Sequence, residues 1–164
     1  MEQPRHSPHK GKVEVLNKTH LLTTGILIAA TSIISAGLWA GPLHDAVEVG
    51  AINRIEQLVL HGEDINAIDE RGIWPLLAAT TFGDNKCVEL LLKLGADPNL
   101  ADQYNYTALH EAATLGYREV AETLIKAKAH INPRDISNFT PLGYAKRSGS
   151  QEVAELLERH GAHL

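Results

Sequence analysis

The chain from Gly41 onward alternates short apolar runs with polar punctuation, and the alternation has a fixed period. Apolar residues recur at helical spacing, as in Ile55, Leu58 and Val59 or Val88, Leu91 and Leu92, which puts one apolar stripe on each short helix. Sliding the sequence by 33 residues superposes these runs without a gap. Pro42, Pro75, Ala108 and Pro141 form one column, followed by Leu43, Leu76, Leu109 and Leu142. Ala46, Ala79, Ala112 and Ala145 form another, as do Leu58, Leu91, Leu124 and Leu157. A repeat of this length, with a buried face in every copy, stacks unit on unit because no unit can bury its apolar side alone.

The pattern predicts two helices per unit. The first starts at the Pro column, where a fixed φ and a missing N–H cost nothing, and ends before Gly50, Gly83, Gly116 and Gly149. The second runs over about Asn53–His61, Asn85–Leu94, Arg118–Ala127 and Gln151–His160. Gly62, Gly95 and Gly161 stop three of these in a left-handed cap. Lys128 stands in that column in the third unit, so a weaker or differently built cap is expected there. Between units lie DERGIW, DQYNYT and DISNFT, whose fourth residues are Gly72, Asn105 and Asn138, the types that accept positive φ most readily. Asn66, Asn99 and Asn132 close the first three units.

These columns resemble the ankyrin repeat family. The resemblance rests on Thr140-Pro141-Leu142, on Thr107-Ala108-Leu109-His110-Glu111-Ala112-Ala113 and on Gly95-Ala96-Asp97-Pro98-Asn99, and it extends from Gly41 to Leu164. It implies an all-α solenoid of four helix-turn-helix units (41–68, 69–101, 102–134, 135–164), with the inter-unit turns projecting as fingers. The first unit lacks its finger and reads as an N-terminal cap. The last has a polar outer side, carrying Lys146, Arg147, Glu152, Glu155 and Glu158, as a terminal unit requires. The resemblance also implies that His44 and His110, which share a column, hydrogen-bond the neighbouring turns.

Before the repeats the pattern changes. Residues 1–20 are polar, with Arg5, Lys10, Lys12 and Lys18 against Glu2 and Glu14, and read as a disordered basic tail. From Thr19 to His44 there is no Asp, Glu, Lys or Arg, and Leu21–Ala40 is long enough as a helix to cross a hydrocarbon core of about 30 Å. Three readings compete: an uncleaved transmembrane signal-anchor, a cleaved signal peptide and a buried soluble helix. The excess of basic residues ahead of the run keeps the tail in the cytoplasm. The expectation is a single-pass protein of the bacterial inner membrane with its repeats in the periplasm. After signal cleavage the product is instead a soluble periplasmic or secreted protein.

Composition narrows the chemistry. From Gly41 there are eighteen acids and eleven bases, so nucleic acid is a poor partner. Cys87 is the sole cysteine, which rules out an internal disulfide and any Cys-x-x-Cys motif; a buried thiol is expected. No nucleophile elbow, His-Glu-x-x-His motif or phosphate loop is present, so no catalytic residue, cofactor or metal ligand is assigned. His110 beside Glu111 reads as structural, and His130, His160 and His163 lack accompanying acidic or Cys ligands. A non-catalytic monomer that binds a protein partner is the reading that remains. An inhibitor or immunity role, or assistance to a stress enzyme, is the alternative implied by small exported ankyrin proteins.

Candidate contact residues come from the finger row and the first helices. Ile73, Tyr106 and Phe139 share the fifth finger position, with Trp74, Tyr104 and Ile136 nearby; Phe82, Leu115 and Tyr144 lie on first helices. Large apolar groups at turn tips need a reason, and aromatics supply binding area at low entropic cost. Replacing Tyr106 and Phe139 by alanine is expected to abolish capture and leave folding intact.

Overall fold

A computed structural model describes residues 41–164. The basic tail and the Leu21–Ala40 run lie outside the described residues. Among the described residues, no helix is long and apolar enough to cross a membrane.

Residues 41–164 form eight helices in pairs: α1 Pro42–Glu48, α2 Ile52–Leu60, α3 Pro75–Thr81, α4 Asn85–Lys93, α5 Ala108–Leu115, α6 Arg118–Lys126, α7 Pro141–Ser148 and α8 Gln151–Arg159. Helices of seven to nine residues are marginal alone, so packing rather than propensity holds them. The first helices pack on one another in sequence, α1 on α3, α3 on α5 and α5 on α7, and form one layer. The second helices form the other layer, and each pair shares its own interface. The Leu columns fill the space between layers: Leu43, Leu76, Leu109, Leu142, Leu58, Leu91, Leu124 and Leu157 are all buried. Each contributes about 1.5–3 kcal/mol of burial. The buried Ala column (Ala46, Ala79, Ala112, Ala145) lets neighbouring first helices approach closely. Cys87 is fully buried, and burial, with Asp84 nearby, pushes its thiol up to about 12.

The turn inside each pair is the same four times over. Gly50, Gly83, Gly116 and Gly149 take φ of 64° to 76°, and the next N–H returns to the first helix, as from Tyr117 to Ala112 O at 3.0 Å. Gly83 has a second reason to be glycine: a Cβ there would come within 2.9 Å of the Tyr117 ring. At the ends of the second helices, Gly62, Gly95 and Gly161 have φ of 96°, 102° and 85°. The expectation of a differently built cap at Lys128 requires correction. Lys128 adopts φ 70° and builds the cap its neighbours build, with Ala129 N–H donating to Leu124 O at 3.0 Å, as Ala96 N–H does to Leu91 O at 2.9 Å. Thr123 O and Ile125 O also accept from this turn, so the backbone is imposed on Lys128 and its Cβ bears the strain.

Candidate functional site

The fingers are built by their first residue. Asp69 Oδ1 accepts from the N–H groups of Arg71 and Ile73, Asp102 Oδ1 from Tyr104 and Tyr106, and Asp135 Oδ1 from Ser137 and Phe139, all at 2.8–3.0 Å. Gly72, Asn105 and Asn138 then take positive φ (79°, 58° and 65°) and close the turn by donating to the Asp carbonyl. Burial works against the Asp69 and Asp135 charges. The hydrogen bonds outweigh it: the Ile73 N–H and Arg71 for Asp69, and the Tyr144 hydroxyl and two N–H groups for Asp135. Both carboxyls are held below the usual range. The repeated Asp at the head of DERGIW, DQYNYT and DISNFT was the signal for this role, and sequence reasoning passed it by.

The fingers are also tied to the helices. His44 Nε2 donates to Ile73 O at 2.9 Å, and His110 Nε2 to Phe139 O at 3.3 Å. His110 Nδ1 accepts from the Thr107 N–H at 3.1 Å, which fixes the Nε2–H tautomer. The expectation drawn for this histidine column therefore holds at both positions. Burial is the main cause holding the His110 pKa below its ordinary value. Arg71 braces the first finger, reaching Glu48 on α1 at 2.7 Å and Asp69 at 2.8 Å. Ile136 N–H donates to Tyr104 O at 2.9 Å, which joins the second and third fingers. The Asn column does comparable work behind the helices: Asn66, Asn99 and Asn132 each accept the N–H of a residue 31 positions on, in the next unit.

The nine candidate contact residues divide into two groups. Trp74 is fully buried, and its place on the contact surface requires correction: it takes the column of the capping residues Thr107 and Thr140 but packs inward as core, with its indole N–H unpartnered. Ile73 is half-buried against the same core, and its backbone is consumed by Asp69 and His44. Tyr106 is half-buried, stacked on His110 with centroids 5.1 Å apart, and its hydroxyl lies 3.0 Å from Glu111 Oε2 and 2.9 Å from Thr114 Oγ1. Tyr144 meets Tyr106 edge-on at 5.4 Å and donates to Asp135 Oδ2 at 2.6 Å. Tyr106 and Tyr144 thus brace the third and fourth units, so alanine at Tyr106 costs folding as well as surface. This corrects the expectation that the Tyr106 and Phe139 substitutions would leave folding intact.

Five residues of the set are exposed: Tyr104, Ile136 and Phe139 on the fingers, and Phe82 and Leu115 at the ends of α3 and α5. Phe139 also packs beside Tyr144 and lies under the Arg147 guanidinium at 5.6 Å. Val49, which sequence reasoning missed, is 77% exposed at the equivalent end of α1, 33 residues before Phe82. Its signal was that spacing. Among the described residues, no group of three or more His, Cys, Asp or Glu side chains is placed to hold a metal ion.

A family model described as ankyrin repeats, in three copies, matches residues 43–135. The chain belongs to the ankyrin repeat family. The fourth unit, built from α7 and α8, continues the same architecture beyond the matched stretch. A comparison with curated proteins finds no match. Ankyrin repeats are generally modules for protein–protein interaction and are generally non-catalytic.

Proposed function

We propose that this ankyrin domain captures a protein partner on the face formed by its fingers and first helices. The observation that carries the reading is the exposure of Tyr104 (52%), Ile136 (64%), Phe82 (56%) and Leu115 (43%) on the fingers and first-helix ends, while the Leu columns of the same units supply the core. A rigid scaffold favours this use. Asp, His and backbone bonds hold each finger, so little conformational freedom is lost on binding. Tyr104 and Ile136, joined by a backbone hydrogen bond, form the centre of the proposed surface. The protein acts as a monomer, each copy presenting one such face.

The reading includes a location. Residues 21–40 serve as a single-pass anchor in a bacterial inner membrane, with residues 1–20 in the cytoplasm and the repeats in the periplasm. Cleavage of that segment would release a soluble periplasmic or secreted domain. The charge-free run and its basic lead support this reading.

The binding test is a double substitution, Tyr104→Ala with Ile136→Ala, in the whole 164-residue chain. Both side chains are exposed, so thermal unfolding is expected to move little, while partner capture from crosslinked cells is lost. Undiminished capture would remove the fingers from the site. For location, a reporter active only outside the cytoplasm, fused after Leu164, is expected to be active.

A further inference from the structure

Two of the three joints between units are clamped on the finger side by a histidine, and the middle joint is not. The column that holds His44 and His110 holds Leu77 in the second unit, and the N-cap column that holds Thr107 and Thr140 holds Trp74. His44 Nε2 donates to Ile73 O at 2.9 Å and His110 Nε2 to Phe139 O at 3.3 Å, each in the finger of the next unit. The carbonyl at that register in the second finger is Tyr106 O. Among the described residues it accepts from the Asp102 N–H of its own finger, at 3.1 Å, and from nothing in the second unit. Leu77 has no side-chain donor to offer it.

The rest of the finger side is equally bare at this joint. Arg71 ties the first finger back to Glu48 on α1, and the Ile136 N–H ties the third finger to Tyr104 O on the second. Among the described residues, no hydrogen bond joins the first finger to the second, and one side-chain bond crosses between α3 and α5, from Thr81 Oγ1 to Glu111 Oε1 at 3.1 Å. Thr81 has a single hydroxyl hydrogen, and Leu77 O competes for it at 3.0 Å.

The second-helix side of the same joint is the opposite case. Thr123 Oγ1 on α6 donates to Asn85 Oδ1 on α4 at 2.8 Å, and the His130 N–H donates to Asn99 Oδ1 at 2.7 Å. The positions equivalent to Asn85 and Thr123 are Ile52 and Leu90 at the first joint and Arg118 and Leu156 at the third, so neither can repeat the bond between second helices. Apolar contact is non-directional and tolerates a change of angle, whereas a hydrogen bond fixes one. A joint bonded behind and packed but unbonded in front turns about its back edge. Trp74 adds a bias toward opening. Its indole N–H is buried without an acceptor, a cost that is relieved when water reaches it.

We propose that the joint between the second and third units is a hinge, pivoting on the α4–α6 side and varying the gap between the first and second fingers. Units one and two move as one body and units three and four as the other. The hinge crosses the proposed contact face between Phe82 and Tyr104, so its angle sets how far apart the two halves of that face stand. The hinge goes beyond the protein-binding reading and is measured without a partner.

The test places spin labels on the whole chain and reads distance distributions by double electron–electron resonance. Glu70, Gln103 and Ile136 share one register on the three fingers and are exposed, while Cys87 is fully buried and stays in place. Glu70→Cys with Gln103→Cys spans the hinge, and Gln103→Cys with Ile136→Cys spans the clamped joint beyond it. The first pair is expected to give the broader distribution. Thr81→Val should broaden the first pair further and leave the second unchanged. Trp74→Thr with Leu77→His restores the pairing seen at Thr107 and His110 and should narrow the first pair, with circular dichroism checking that the helices remain. Because that double variant removes a core tryptophan, the comparison of the two label pairs in the otherwise unaltered chain stands as the deciding measurement. Equal widths for the two pairs, a broader second pair, or a first pair indifferent to Thr81→Val overturns the inference.

Discussion

Lys128→Gly should stabilise the domain. Lys128 is exposed at φ 70°, with its N–H donating to Ile125 O at 3.0 Å and the following N–H closing the cap on Leu124 O. A residue with a Cβ in the left-handed region costs about 1–2 kcal/mol, and glycine removes that cost. Glycine also gives the unfolded chain more freedom, which takes back about 0.4–1 kcal/mol. The net expectation is a gain of about 0.5–1 kcal/mol, or roughly 2–5 °C in the unfolding midpoint for a domain of this size. The assay is urea unfolding followed by far-ultraviolet circular dichroism, with the slope unchanged and the midpoint raised. The reciprocal change gives an internal check. Gly95 fills the same column at φ 102°, with nothing near its would-be Cβ, so Gly95→Lys reverses the same two terms and should lose about 0.5–1 kcal/mol. An unmoved or lowered midpoint for Lys128→Gly would refute the strain argument and mean that the lysine side chain contributes something the backbone geometry does not show.

Two further outcomes follow from the same structure. Gly83→Ala should cost distinctly more than Gly149→Ala by thermal unfolding: both need positive φ, worth about 1–2 kcal/mol each, but only at Gly83 does the new methyl meet Tyr117. Acid should lower the stability of the domain in two stages. Because the folded His110 pKa is depressed, stability is complete above the ordinary histidine value of about 6.5 and declines as pH falls through it, the unfolded chain taking up a proton that the folded one refuses. Because Asp69, Asp84 and Asp135 are also depressed, their contribution is present above the ordinary carboxyl value of about 3.9 and is lost as pH falls toward their folded values. Midpoints measured from pH 8 to pH 2 should show both declines, and Asp135→Asn should shrink the lower one; a flat profile would contradict the assigned shifts.

What the sequence determined by itself was the repeat. A 33-residue period is visible because every unit must bury the same Leu and Ala positions against its neighbours and must reverse the chain at the same glycines, so the columns, helix pairs and positive-φ turns could be read directly. The histidine column was legible for the same reason, since His44 and His110 perform one task at one register. Exposure was not legible. Trp74 and Tyr106 occupy finger positions and look like contact residues, yet one lies in the core and the other is clamped between His110, Tyr144 and Glu111. Val49 looks like any helix-end residue until Phe82 and Leu115 are seen at its register. Sequence records which residue types recur, because recurrence follows from local backbone and packing needs common to every unit. Whether a given side chain turns inward or outward depends on the residues that the next unit sets beside it, 29 to 38 positions away, and only the stacked structure decides that.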